Sequence, residues 1–209
     1  MEEQVIKSRT RKLTARGLAT RKLILSTTVE LIAKQGYHAS NIQLISEACG
    51  IPRGSILHQF PTRLDLMASV IEFITSEMTL NTQQLLAAEP DPKVRLLSFF
   101  DVVWGVARSD LSVANAEIQD ASHWDADLAD KVGRMTDVLE GGFIREFLSI
   151  AEAAGIAHPR ALLPLLTMTL VSMRGFLVSF RLLEKETFLR PGHDYLRAHF
   201  NAALQQSLG

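Results

Sequence analysis

The sequence contains a single cysteine, Cys49, so an internal disulfide is excluded and a reducing compartment is expected. It has no long apolar run. The most apolar stretch, 161–173, is closed by Arg174 and is shorter than the ~20 residues a membrane span needs. The acidic opening Met1-Glu2-Glu3 precedes no apolar core, so no secretory signal is expected. The six histidines are scattered, without an H-E-x-x-H pair, and neither a G-x-S-x-G elbow nor a phosphate loop is visible. These gaps argue against metal, nucleophilic and nucleotide chemistry. No cofactor is expected, and a soluble cytoplasmic protein that is not an enzyme is the simplest reading. Alternating strand patterns and Asn-Gly or Asp-Gly hairpin signals are missing too, and no repeat of solenoid period is found.

What is present is ordinary globular material, 47 % hydrophobic and 22 % charged. The net charge of −1 conceals an uneven distribution. Residues 1–63 hold ten Lys/Arg against four Asp/Glu, whereas residues 64–209 hold twelve against nineteen. A basic first third on an acidic body suggests that one end meets a polyanion.

Residues 1–18 carry Lys7, Arg9, Arg11, Lys12 and Arg16 without apolar periodicity and read as a flexible basic arm, either a solvated tail or a contact to phosphates. From Ala19 a helix is expected. Ile24, Thr28, Leu31 and Ile32 share its inner face, and Gly36 is suited to end it as a left-handed cap. Ser40 with Gln43 has capping-box spacing for a second short helix, whose inner face is Ile42, Ile45 and Ala48. Gly50 breaks it. Pro52, in a first-turn position, opens a third helix that runs to Gln59 and turns Ile51, Ile56 and Phe60 inward. Thr62 caps a fourth. Further helices fit 63–88, 93–108, 111–121, 126–153, 160–186 and 193–208, with a break at Pro191–Gly192. The expected fold is all-α. Residues 19–66 form a helix-turn-helix domain and 67–209 a helical effector-binding and dimerisation domain.

Two short helices around a tight glycine turn describe a helix-turn-helix, in which the second helix offers its outer face to base edges in the major groove. That face would carry Arg53, Gly54, Ser55, Leu57 and His58. Arg53 suits a guanine edge or a phosphate. Gly54 permits close approach, Ser55 and His58 can donate to phosphate, and Leu57 can pack on a thymine methyl. Asn41, Gln43 and Arg63 lie near helix N-termini, which favour phosphate.

The stretch RKLILSTTVELIAKQGYHASNIQLISEACGIPRGSILHQFPTRLDL, residues 21–66, resembles the TetR (tetracycline-repressor-like) family. The likeness runs without a gap through Ile24, Gly36-Tyr37, Ser40, Ile45, Ala48, Gly50-Ile51, Gly54-Ser55, His58, Phe60, Arg63 and Leu66. Pro52 stands where the family has a Ser or Thr cap. Leu57 replaces a Tyr that commonly touches phosphate, so that contact is absent or replaced here, and Gln59 replaces a frequent aromatic. The resemblance implies an all-helical homodimer on palindromic double-stranded operator DNA, acting as a repressor whose affinity a small molecule changes.

The C-terminal part carries no such motif and is read from physics. Leu166, Leu170, Met173, Leu177 and Phe180 form one stripe of a helix, and Met168, Ser172, Gly175 and Ser179 form a second, mostly small stripe. With Leu196, Phe200, Ala203, Leu204 and Leu208 on the last helix, they suit either a four-helix dimer interface or subunit core. The expected interface residues are Ser172, Gly175, Ser179, Phe200 and Leu204. Phe99, Phe100, Trp104, Trp124, Met135, Phe143 and Phe147 are either core or pocket lining, and an apolar or amphipathic effector would meet Phe100, Trp104, Trp124, Phe143 and Phe147. Arg174, inside an apolar helix, either pairs or snorkels, or holds a ligand carboxylate. Two other readings stay open: a DNA-binding dimer without an effector, and a small helical carrier or enzyme. A cavity in the helical body separates the first of these from a ligand-responsive regulator.

Overall fold

The computed structural model describes residues 14–182 and 186–209. The basic arm at 1–13 lies outside the described residues. Nine helices are described in them: α1 (Ala15–Gln35), α2 (Ile42–Cys49), α3 (Arg53–Gln59), α4 (Arg63–Ala87), α5 (Pro92–Ala107), α6 (Asp110–Ser122), α7 (Ala126–Ala153), α8 (Leu163–Leu182) and α9 (Glu186–Leu208). A short 3-10 turn at Pro159–Leu162 precedes α8.

Local chemistry sets these boundaries, and in places differs from the sequence-based expectation. The helix α1 starts at Ala15 rather than Ala19, because the Thr14 hydroxyl accepts from Gly17 N at 3.2 Å and caps it. The expected arm of 1–18 is therefore shortened at its C-terminal end. Gly36 ends α1 at a positive φ of 82°, but its ψ of 164° is extended, so the left-handed cap is instead Gly50 at φ 67°, ψ 19°. The cap of α2 is Asn41, whose Oδ1 accepts from Leu44 N at 3.0 Å. Ser40 is fully buried and donates backwards to Gly36 O, while Gln43 donates to Glu47, so the expected Ser40–Gln43 box does not form. Ala48 is exposed, and the half-buried Cys49 takes its place against the core. Pro52 is the residue before the first turn of α3, and its carbonyl accepts from Ser55 N and Ile56 N. At α4 the expectation holds, with Thr62 and Asp65 closing a reciprocal capping box.

Pro191 does not break the last helix but lies in its second turn. There it forfeits one backbone bond while the adjoining turns persist. Gly192, beside it, packs on α8. A β-carbon at Gly192 would stand 3.2 Å from the Phe176 ring, a tight contact that the ring would have to relieve by a few tenths of an ångström.

Two apolar clusters organise the chain. The first joins Ile24, Val29 and Ile32 of α1, Ile45, Ile56 and Phe60, and the α4 residues Leu66 to Met78 to Ala114 and Ile118 of α6 and Leu128, Val132 and Leu139 of α7. The expected boundary at 66/67 thus falls inside α4 and cuts through a continuous core. The second joins Leu86, Phe99, Phe100, Phe147, Leu166, Met173, Phe200 and Leu204. Phe200 and Leu204 are fully buried within the subunit, so they are core residues and not the interface expected of them. Their places on α9 face Phe100 and Phe147, with ring centroids 5.9 and 6.1 Å from Phe200.

Candidate nucleic-acid interface and effector cavity

The α2–α3 unit is fixed from three sides. Ser46 Oγ donates to Ile51 O at 2.7 Å across the Gly50 turn. Ile45, Ile56 and Phe60 are buried. The Arg21 guanidinium lies 4.3 Å above the Phe60 ring and donates to Ser69 Oγ, clamping α1 and α4 around the end of α3. On the opposite side Arg53, Gly54, Ser55 and His58 are exposed, with Leu57 half-buried beside them. An added β-carbon at Gly54 would meet nothing within 4 Å, so that surface is open for close approach by a backbone.

Asn41 and Gln43 are exposed at the start of α2, engaged respectively as cap and as partner of Glu47. Arg63 is already occupied. Its Nη2 donates to Tyr37 O at 2.8 Å, and its guanidinium sits 4.1 Å above the Tyr37 ring. Arg63 thereby ties the start of α4 to the α1–α2 turn. Burial pushes the Tyr37 phenol pKa above its ordinary value of 10.0, with the Arg63 charge opposing.

A cavity of about 650 Å³ opens in the body between α4, α5, α6, α7, α8 and α9. Trp104, Phe143 and Arg174 line it, as expected. Phe100 and Phe147 do not, because both are fully buried in the core behind it. Trp124 is 89 % exposed at the α6–α7 turn, where the chain reverses and nothing packs over the indole. The sequence reading missed Arg108, Gln119, Glu140, Arg190, His193 and Asp194, all on the wall. Helical spacing alone gives no sign of them, since each is a polar residue on a helix whose cavity-facing side only packing defines. His193 is held in an aromatic box, with ring centroids 4.4 Å from Trp104 and 5.5 Å from Phe100, and its Nδ1 is 3.1 Å from Asp194 Oδ1. Among the described residues no group of three or more His, Cys, Asp or Glu is placed to hold a metal ion.

The helix α6 belongs to both regions. Ser112, Val113, Ala116 and Gln119 border the cavity, while Ala114 and Ile118 pack into the cluster that holds α1. A β-carbon at Gly36 would stand 3.3 Å from Glu117 Oε2, which places α6 against the turn that leads into α2.

One further face is uncovered. On α8, Met168 and Val171 are 67 % and 65 % exposed, Gly175 is open, and Ser172 and Ser179 are half-buried. Phe188 and Tyr195 of α9 are exposed as well. The apolar helix is longer than the stretch ended by Arg174 suggested. Among the described residues, Pro159–Phe180 is the one helical segment long and apolar enough to cross a membrane by length and composition.

Residues 24–70, from α1 into α4, match the family model described as bacterial regulatory proteins, tetR family. The N-terminal region thus has the sequence of a TetR-family DNA-binding segment. Curated relatives match over about a third of this chain. This chain is 40 % identical over 63 residues to the HTH-type transcriptional regulator YxaF of Bacillus subtilis (strain 168), covering 30 % of this chain and 31 % of that protein. It is 26 % identical over 72 residues to the HTH-type transcriptional regulator CymR of Pseudomonas putida, covering 34 % and 36 %. The chain thus matches about a third of the length of these relatives. Its fold extends the likeness over the body. A TetR transcription regulator from Haloarcula marismortui superposes with a TM-score of 0.66 at 16 % identity, covering 89 % of this chain and 98 % of that one. The regulator FadR from Bacillus subtilis, solved in complex with stearoyl-CoA, gives 0.59 at 16 % identity, covering 90 % and 97 %.

Proposed function

We propose that this TetR-family chain is a cytoplasmic, sequence-specific DNA-binding repressor, working as a homodimer and released from a palindromic operator by a small amphipathic molecule. The carrying observation is that a helix-turn-helix with an open basic outer face and a large cavity are joined by one helix, α6. Arg53 supplies the base-edge or phosphate contact at the start of α3, and Ser55 and His58 donate to the backbone. A ligand that displaces α6 moves the α1–α2 turn, and with it the placement of α3. Two recognition helices must meet major grooves ~34 Å apart, so a small change in each subunit breaks the match across the dimer. A tenfold loss of operator affinity needs ~1.4 kcal/mol of differential ligand binding. The cavity favours this reading over a DNA-binding dimer with a solid body.

The two-fold partner would cover the exposed α8 face around Met168, Val171, Ser172, Gly175 and Ser179. Ligation of the wall would fall to Trp104, Phe143 and Arg174 in place of the wider aromatic set.

The test is binding to genomic fragments, narrowed to a palindromic duplex, as a function of salt. Strong salt dependence is expected from the basic first third. Arg53→Ala should weaken specific binding by about 1–3 kcal/mol if it reads a guanine. Folded dimer that retains no fragment at low salt refutes the function.

A further inference from the structure

Gln119 is a polar group in the cavity wall whose hydrogen bonding is incomplete. Its residue is 8 % exposed, on α6. The amide Nε2 donates to Thr136 Oγ1 of α7 at 3.0 Å, and its Oε1, buried from solvent, has no partner. A Thr hydroxyl can donate or accept, so turning the amide over would only exchange which end is satisfied. Either way one buried end of the amide lacks a hydrogen bond, a condition that costs ~1–3 kcal/mol unless something supplies it.

A second wall residue is in the same state. The Nδ1 of His193 faces the Asp194 carboxylate, which only accepts, so Nδ1 carries a proton. Its Nε2 is buried and unpartnered. A hydroxyl satisfies both groups in any protonation or rotation, because it donates and accepts. A plain hydrocarbon end satisfies neither.

The charges on the wall are unequal. Arg108, Arg174 and Arg190 face two carboxylates, Glu140 and Asp194. Neither the Arg108 nor the Arg174 guanidinium has a hydrogen bond or ion pair to another described residue. Their positive excess suits an acid group at the exposed rim.

We infer that the cavity selects a hydroxylated amphipathic acid, with its hydroxyl on Gln119 and its acid group on Arg108 and Arg174. This rests on the effector half of the proposed function and narrows it to a ligand class. The apolar middle of such a ligand lies against Trp104 and Phe143.

The experiment uses full-length Trp124→Phe protein, which leaves Trp104 as its only indole. Two matched pairs are titrated by Trp104 fluorescence and calorimetry: phenylbutanoate against its para-hydroxy derivative, and decanoate against its omega-hydroxy derivative. In at least one pair the hydroxylated member should bind roughly tenfold tighter or better, because a buried polar group left unpaired penalises the analogue. Gln119→Leu, with Gln119→Met as a second variant should the first not fold, should bring that ratio close to one. Arg174→Met should weaken all acids that bind. Equal binding within both pairs, or a hydroxyl preference that survives both Gln119 variants, overturns the inference while leaving an effector cavity. Failure of all four acids to bind overturns the inference. Operator binding by the same protein would then leave the DNA-binding function standing.

Discussion

Replacing Arg63 by alanine separates a structural role from a contact to DNA. In the folded chain its guanidinium donates at 2.8 Å to the Tyr37 carbonyl and covers the Tyr37 ring at 4.1 Å. A hydrogen bond from a charged donor contributes ~1.5–3 kcal/mol, and a partly exposed cation–π contact ~0.5–1 kcal/mol. Arg63 is half-buried, so water reaches the freed carbonyl and the lower end applies, about 2 kcal/mol in total. For a chain of this size that loss lowers the melting temperature by roughly 4–8 °C. Arg63→Lys keeps the charge but loses the planar fork, and should recover only part of the stability. Urea unfolding supplies the free energy and scanning calorimetry the temperature. Operator affinity is measured in parallel well below the melting transition. If Arg63→Ala melts with the parent protein yet loses affinity for all duplexes alike, the Tyr37 anchorage carries no weight and Arg63 is a phosphate contact.

Two further outcomes follow from the geometry. Gly175→Trp should leave the subunit folded, since an added β-carbon there meets nothing within 4 Å, and should split the proposed dimer; sedimentation that still shows a dimer refutes the α8 interface. The raised Tyr37 pKa gives a stability term with a defined sign. The folded state holds the phenolic proton more tightly than the unfolded chain, so the term is fully present below pH 10.0 and is lost as pH rises from there through the folded value. Tyr37→Phe should flatten that part of the stability profile, and an unchanged slope in chemical denaturation would refute the assignment.

The helical order and the exposed face of α3 were legible because they depend on local signals. Gly50, Thr62 and the spacing of Ile24, Ile45, Ile56 and Phe60 each decide structure within a turn or two. Failures came where two local signals compete or where only packing decides. Ser40 and Asn41 are both good caps. The chain uses Asn41 because Ser40 is drawn into the core and bonds to Gly36. Pro191-Gly192 reads as a stop, yet the helix continues, because a proline in the second turn forfeits one backbone bond and α9 is packed against α8. Phe200 and Leu204 have the same spacing whether they face a partner subunit or Phe100 and Phe147. Trp124 looked like lining only because aromatic residues are usually covered. Gln119 and His193 carried no sequence signal, since their importance lies in the hydrogen bonds they lack.

The continuity of the first apolar cluster across α4 and into α6 has a bearing on how such a regulator can be rewired. Cut at residue 66, the N-terminal segment would carry Ile24, Val29 and Ile32 with part of their packing partners left behind on α4, α6 and α7. It is not an interchangeable cassette. Grafting it onto another body would bring together two halves of unrelated cores, and the hybrid would have to repack them before it could recognise anything. On the proposed function, new operator specificity is better written onto the few open positions of α3, Arg53, Gly54, Ser55 and His58, where a change alters only the exposed face and leaves the interior as it was.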